Sequence, residues 1–161
     1  MLIRPGKKED LPQVLGLIKE LAVYEKAADE VDNTVTRMEV DGFGENPVYG
    51  FFVAAEREGP LVGIAIYYYR YSTWKGKWLY LEDLIVTESQ RGQGIGKQLL
   101  DRTIQKALDE NCTGMMWQVL DWNTPAIHFY EKHYRPVLDS EWINCKLTHE
   151  QMRKAIAENK E

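Results

Sequence analysis

Hydrophobic residues recur at two different spacings along the first half of this 161-residue chain. Between Lys8 and Lys26 they lie three and four positions apart, which predicts an amphipathic helix after a short strand at residues 2–4. The segment Thr36–Asp41 indicates a second, shorter helix. Three β-rich segments follow, at Val48–Glu56, Leu61–Tyr71 and Trp78–Val86, and the turn sequence REGP separates the first two. The pattern predicts a strand, two helices and an antiparallel meander.

The second half of the chain alternates helical and strand patterns. Asn123 followed by Pro125 is typical of a helix start, and this helix is expected to run to about His133. Thr148 and Gln151 form a capping-box pattern for a last helix. The other expected elements are a helix from about Gly94 to Glu110 and strands at Met115–Leu120, Pro136–Leu138 and Trp142–Leu147. Since no linker or repeat interrupts the chain, we expect one α/β domain over residues 1–161 with a mixed sheet.

Composition narrows the possible partners and the compartment. The net charge of −5 argues against nucleic-acid binding, which needs a basic surface. No apolar run approaches the ~18 residues of a membrane span, and residues 1–10 lack a signal-peptide pattern, so we expect a cytoplasmic protein that does not enter a membrane. Cys112 and Cys145 lie far apart without metal-ligand spacing, which predicts two buried thiols rather than a disulfide or a metal site.

Three alternating glycines, Gly92, Gly94 and Gly96, stand where the third long helix should begin. The P-loop pattern is excluded, because it needs glycine at Arg91, and the dinucleotide fingerprint is excluded, because it needs glycine at Lys97. Backbone without Cβ atoms can still turn its N–H groups toward one point, and a helix N-terminus adds the positive end of its dipole. The turn therefore predicts a pyrophosphate site to which Arg91 adds charge. A glycine turn without a ligand stays the alternative.

The segment from Gln90 to Gly96 resembles the acetyl-CoA signature of the GNAT superfamily of N-acetyltransferases. Four further stretches are similar to the diamine (spermidine/spermine) acetyltransferase group: LIKELAVYEK, DGFGENP, YYYRYSTWKGKWLYLEDLIV and LDWNTPAIHFYEK. Within that group, YSTW and LDWN are most similar to the branch that acetylates thialysine, a lysine analogue. The similarity fades at HYRPVLDSEW, so the resemblance leaves the corner at residues 133–142 open.

The resemblance implies a fold, a reaction and an assembly. The fold is the GNAT α/β fold, in which helices flank a central mixed and mostly antiparallel sheet. The reaction is direct transfer of an acetyl group from acetyl-CoA, without a metal, to a primary amine of a small cationic substrate, either thialysine-like or a diamine or polyamine. The assembly is a homodimer with substrate sites near its interface.

Acetyl transfer to an amine needs a base facing the amine and an acid near the departing sulfur. Glu82 is the expected base, because a carboxylate inside an otherwise apolar strand needs a reason. The resemblance implies that this base acts through water. Asp83 alternates with Glu82, so we expect it on the opposite face in a structural ion pair or cap. The resemblance implies that Tyr130, in HFYEK, protonates the leaving thiolate.

Other site residues follow from the resemblance alone. The coenzyme is expected on the backbone of Leu84, Ile85 and Val86, on Arg91, Gly92, Gln93, Gly94, Ile95, Gly96 and Lys97, and on Asn123, Thr124, Pro125 and Ala126. The substrate is expected on Tyr24, Glu25, Glu82, Met116, Trp117 and Gln118, and on Ser72, Thr73 and Trp74. Ser72 and Thr73 stand where polyamine-acetylating relatives carry Asp-Pro, which favours a lysine-like amine.

Two other functions remain possible from the sequence. An acetyltransferase acting on protein lysines or N-termini needs an open peptide groove, and the bulky aromatic cluster at Tyr67–Trp74 argues for a closed site instead. A non-catalytic acyl-CoA sensor would have lost the chemistry, and the presence of both Glu82 and Tyr130 argues against it.

Overall fold

The structure is a computed structural model that describes residues 1–56 and 59–158. The chain divides into two compact units, Met1–Trp122 and a second unit that begins at Asn123. The first unit contains β1 Leu2–Pro5, α1 Leu11–Tyr24, α2 Val35–Phe43, β2 Gly50–Ala55, β3 Leu61–Ser72, β4 Gly76–Val86, α3 Ile95–Asp109 and β5 Gly114–Trp117. The second contains α4 Thr124–His133 and α5 His149–Glu158. The prediction of one domain over the whole chain stays a prediction.

The first unit is built on one five-stranded sheet in the order β1-β2-β3-β4-β5. The first four strands pair antiparallel with their neighbours, and β5 pairs parallel with β4 after the crossover through α3. The predicted mixed, mostly antiparallel sheet flanked by helices is therefore confirmed. Arg57 and Glu58, in the turn predicted between β2 and β3, lie outside the described residues.

Helices cover both faces of this sheet. On one face, Leu11 and Val14 of α1 pack in a single buried cluster with Phe51, Ile64 and Ile85 of the strands. On the other face, Arg102 of α3 places its guanidinium 4.6 Å from the ring centre of Phe52. Every residue from Phe51 to Ala55 of β2 is buried, because consecutive side chains enter opposite layers.

The pairing of β3 with β4 contains one irregularity that matters for the site. Tyr67 lies opposite Leu81, but the preceding residue of β3, Ile66, lies opposite Asp83. Glu82 is therefore the extra residue of a β-bulge, which breaks the alternation of side chains along the strand. On the other side of β4, β5 ends with Trp117 opposite Leu81, so residues 82–86 have no neighbouring strand there within the described sheet.

The expected strands at Pro136–Leu138 and Trp142–Leu147 are wrong. Residues 135–148 are neither helix nor strand. An alternating apolar pattern supplies β-propensity, but a strand also needs a partner edge for its backbone groups. Trp142 and Ile143 are instead 79% and 89% exposed.

Most of the other local predictions are confirmed, although β5 ends at Trp117 and not at the expected Leu120. Thr148 and Gln151 form the expected capping box, since each backbone N–H donates to the other's side chain, at 2.7 and 3.2 Å. Cys112 is half-buried, but Cys145 is exposed, so the expected burial of both thiols is wrong. No helix in residues 1–56 and 59–158 has the length and apolarity to cross a bilayer.

Candidate functional site

The glycine turn has the backbone that an anion site requires. Gly92 and Gly94 both have φ of +77°, a conformation that residues with a Cβ rarely adopt. A Cβ built at either glycine would meet no atom within 4 Å, so the space beside the turn is open. Gly94 is the N-cap of α3, and no side chain caps the helix there. The first N–H groups of α3, from Ile95 onward, are thus available to an anion.

Glu20 of α1 fixes the approach to this turn. Its carboxylate accepts hydrogen bonds from the Thr87 hydroxyl at 2.9 Å and from the Glu88 backbone N–H at 2.9 Å. Gln93 donates to Gln90 at 3.0 Å across the turn itself. The sequence reasoning missed Glu20, and no local signal marks it because its partners lie more than 60 positions away.

The exposed Arg91 side chain folds back over the turn, where it contacts Val86 and Tyr24. Its Nε donates to the Val86 carbonyl at 3.0 Å, and its guanidinium carbon lies 5.1 Å from the ring centre of Tyr24. The structure thus brings together Arg91, predicted to bind the coenzyme, and Tyr24, predicted to bind the substrate. Lys97 forms an exposed ion pair with Asp101 at 2.6 Å.

The open edge of β4 leads from the bulge to the glycine turn. Leu84, Ile85 and Val86, predicted to present backbone groups to the coenzyme, lie on this edge beyond the end of β5. An exposed strand edge pairs with extended, amide-containing ligands as it would with another strand. The pantetheine arm of coenzyme A is such a ligand.

Two adjacent carboxylates meet on one face at the bulge, which corrects the expectation that they face opposite sides. Asp83 lies opposite Ile66, whose side chain joins the α1 layer. Glu82 is exposed, and its charge raises the pKa of Tyr68, which lies two positions from Ile66 on the same face of β3. The bulge is the physical reason, because Glu82 has no opposite residue on β3.

The surroundings of Asp83 strongly alter the pKa of its carboxyl group. Burial raises its pKa to about 6, and the negative charges of Glu82 and Glu25 add to the effect. Burial also raises the pKa of Glu25, at the end of α1. The expected ion pair or cap is wrong, since no Lys, Arg or His in the described part of the chain pairs with Asp83.

Tyrosines form the surface beside these carboxylates. The rings of Tyr68 and Tyr80 stack with centres 5.0 Å apart. The pKa of Tyr68 is raised to about 12 by burial and by the charge and hydrogen bond of Glu82. The sequence reasoning singled out neither tyrosine, although the period of two from Ile66 places Tyr68 on the core face.

Strand β5 divides the substrate residues predicted there between the two faces. Met116 is aligned with Tyr80 and so lies on the carboxylate face. Trp117 is aligned with Leu81 on the other face, and Gln118 follows the end of the strand.

The predicted residues Ser72, Thr73 and Trp74 lie at the tip of the β3–β4 hairpin. The Ser72 hydroxyl accepts the Lys75 backbone N–H at 3.1 Å and so helps to close this turn, and Trp74 is 86% exposed. Six residues of β4 separate the tip from Glu82, roughly 20 Å along a strand. A single chain does not bring these residues to the carboxylates.

The second unit holds the remaining predicted residues. Asn123 caps α4 by accepting the Ala126 backbone N–H at 3.4 Å, and Thr124 and Pro125 form the first turn, as the sequence predicts. Tyr130 is buried on this helix, with the Phe129 ring centre 5.3 Å from its own.

The first unit combines three chemical features. An open helix N-terminus suits a phosphate, an open strand edge suits an amide-containing arm, and the carboxylates beside stacked tyrosines suit a cation. Among residues 1–56 and 59–158, no group of three or more His, Cys, Asp or Glu side chains is arranged to hold a metal ion.

Known proteins resemble the chain over most of its length. Residues 17–134 match the model of the acetyltransferase (GNAT) family. A thialysine N-epsilon-acetyltransferase from Bos taurus is 43% identical over 138 residues, 81% of each chain. A spermidine/spermine N(1)-acetyltransferase-like protein 1 from Homo sapiens is 39% identical over 145 residues, 86% of this chain and 21% of that protein. A solved aminoglycoside N-acetyltransferase in complex with CoA shares the fold, with a TM-score of 0.71 at 20% identity, over 90% of this chain and 93% of that one.

Proposed function

The chain belongs to the acetyltransferase (GNAT) family, and we propose that it acetylates a small lysine-like amine at the β4 bulge. That it is an acetyl-CoA-dependent amine N-acetyltransferase follows from the family and from its relatives. The residues that carry the reaction and the identity of the amine are the proposal.

The observation that carries the proposal is the group of carboxylates beside the open edge of β4. Glu82, Asp83 and Glu25 place negative charge where an ammonium group would approach. The same strand continues past Leu84, Ile85 and Val86 to the glycine turn. A bound thioester and a bound amine would therefore meet at the bulge.

The first step is removal of a proton from the amine. An ammonium group with a pKa near 10.4 is neutral in about one molecule in a few thousand at pH 7, so deprotonation costs about 4–5 kcal/mol. Glu82 would accept this proton through water. Asp83 beside it has a pKa of about 6, closer to neutral pH than an ordinary carboxyl, which suits a general base.

The second step is direct transfer. The amine nitrogen attacks the thioester carbonyl, the new C–N bond forms, and the C–S bond breaks as the thiolate of coenzyme A leaves. The nitrogen releases its remaining extra proton to water as the amide forms. Tyr130 would donate its phenol proton to that thiolate and recover a proton from solvent. No covalent enzyme intermediate is needed, because holding both reactants together supplies much of the acceleration.

The coenzyme would be held by backbone groups along one path. Leu84, Ile85 and Val86 would pair with the pantetheine arm, and the turn from Arg91 to Lys97 would bind the pyrophosphate. We also propose Asn123, Thr124, Pro125 and Ala126 as coenzyme-binding residues. The open space at Gly92 and Gly94 supports this assignment.

We further propose a cytoplasmic homodimer. Both thiols are free and Cys145 is exposed, which suits a reducing compartment. The irregular segment 135–148 exposes the apolar side chains of Val137, Trp142 and Ile143, and large exposed apolar surfaces mark protein contacts. A second copy would also provide another source for the hairpin-tip residues Ser72–Trp74.

A panel of amines incubated with acetyl-CoA tests the function. Thialysine, lysine, spermidine, spermine and a lysine-containing peptide are compared by kcat/KM from thiol release and by mass of the product. We expect thialysine to be the best substrate. A tenfold preference for spermine would place the enzyme with the polyamine acetyltransferases, and a preference for the peptide would point to protein acetylation.

A further inference from the structure

Arg70 is a positively charged residue on the carboxylate face that has no ion-pair partner among the described residues. It lies on β3 two positions beyond Tyr68, opposite Trp78 of β4, and its side chain is exposed. Its NH1 group donates to the sulfur of Met116 at 2.8 Å. A thioether is a weak acceptor. In the described part of the chain, Arg70 forms no ion pair.

The face therefore has a positive end and a negative end. Arg70 lowers the pKa of both Tyr68 and Tyr80 by its charge, whereas Glu82 raises the pKa of both. The stacked pair of tyrosines lies between these opposite charges. A ligand carrying an anion at one end and a cation at the other would match this arrangement.

The separation of the two ends fits a lysine-like amino acid. Arg70 and Tyr68 lie about 7 Å apart along β3, since a strand rises about 3.4 Å per residue. Tyr68 lies close enough to Glu82 for the Glu82 charge to raise the pKa of Tyr68, and so it marks the negative end. In extended lysine or thialysine, six bonds of roughly 1.5–1.8 Å join the carboxylate carbon to the distal nitrogen, which spans about 7–8 Å.

We propose that Arg70 binds the α-carboxylate of an amino-acid substrate while Glu82, Asp83 and Glu25 face its distal ammonium group. This inference rests on the proposed function and narrows it to amino acids with a terminal amine. A guanidinium group presents a planar fork that matches a carboxylate. The same charge repels a second ammonium group, so Arg70 would also disfavour polyamines.

The test compares two substrates that differ by the carboxylate. Thialysine and bis(2-aminoethyl) sulfide, which is thialysine without its carboxylate, are assayed with acetyl-CoA and the wild-type enzyme, Arg70→Met, Arg70→Lys and Arg37→Met. Arg37 lies on α2, exposed and 3.8 Å from Asp32, so its replacement removes the same charge elsewhere.

We expect the wild type to favour thialysine, and Arg70→Met to lower that selectivity about tenfold to hundredfold, mainly by raising KM for thialysine. Arg70→Lys should restore part of it, because an ammonium group keeps the charge without the fork. Arg37→Met should keep the wild-type ratio. An unchanged ratio in Arg70→Met overturns the role of Arg70 while acetylation of both amines leaves the proposed function intact. If the wild type acetylates neither amine, both proposals fail.

Discussion

At the scale of single residues, ionisation of Asp83 at the β4 bulge lowers the free energy of unfolding by an amount that depends on pH. Its folded-state pKa of about 6 lies above the ordinary aspartate pKa of 3.8. The folded protein therefore binds more protons than the unfolded chain between these values, and stability falls as pH rises from about 4 to about 6. Above that range Asp83 is charged in both the folded and the unfolded state, so its destabilising effect no longer changes with pH.

Replacing Asp83 with Asn should remove the destabilisation that the charged carboxylate causes. We expect Asp83→Asn to be more stable than the wild type by about 1–3 kcal/mol at pH 7.5, with the difference vanishing near pH 3. Urea unfolding at both pH values measures it. Asp121→Asn, at an exposed position, is the control and should show no such difference. Equal stability of Asp83→Asn and wild type at pH 7.5 would contradict a buried charge.

Tyr130 is the residue on which the proposed acid step depends. Tyr130→Phe should lower kcat about 100-fold or more, the usual scale for a positioned proton transfer, with little change in affinity for acetyl-CoA. Tyr134→Phe, which removes the same atom one helical turn away, is the control and should keep most of kcat. A Tyr130→Phe enzyme with nearly normal kcat would mean that the thiolate leaves without Tyr130.

At the scale of elements, the strand–turn–helix from β4 to α3 depends on glycine at a left-handed position. Gly94→Val should greatly weaken acetyl-CoA binding, because a β-branched side chain is strained at φ of +77° and would fill the space open to the pyrophosphate. Isothermal titration calorimetry on the folded variant measures the affinity.

Gly76 provides the matched control for backbone strain. It has φ of +95° at the first position of β4, so Gly76→Val should lose stability but keep its affinity for acetyl-CoA. If Gly94→Val binds acetyl-CoA as well as Gly76→Val does, the turn is not the pyrophosphate site.

At the scale of the whole molecule, the exposed apolar side chains of residues 135–148 predict association. We expect the wild type to sediment at twice the 18.7 kDa chain mass, and Trp142→Ser with Ile143→Ser to shift it toward the single chain at micromolar concentration. Leu108→Ser, at an exposed apolar position on α3, should not. A wild type that stays monomeric at every concentration measured would rule out the proposed dimer.

Features whose causes lie within a few neighbouring residues could be predicted from the sequence. The helix starts at Asn123 and Thr148 were predicted because each capping side chain and the backbone N–H that donates to it are three positions apart. The glycine turn was predicted for the same reason, since left-handed φ at Gly92 and Gly94 is a local demand. The order of helices and strands followed from periods of 3.6 and 2, which are also local.

Features that depend on pairing between distant segments are visible only in the tertiary structure. The bulge at Glu82 exists in the register of β3 with β4, and it places Glu82 and Asp83 on one face where alternation predicted two. The open edge that could receive a coenzyme exists because β5 ends opposite Leu81. Trp142–Leu147 has the pattern of a strand but does not form one. The β-propensity of a segment depends on its own residues, whereas the hydrogen bonds of a strand need a second strand beside it.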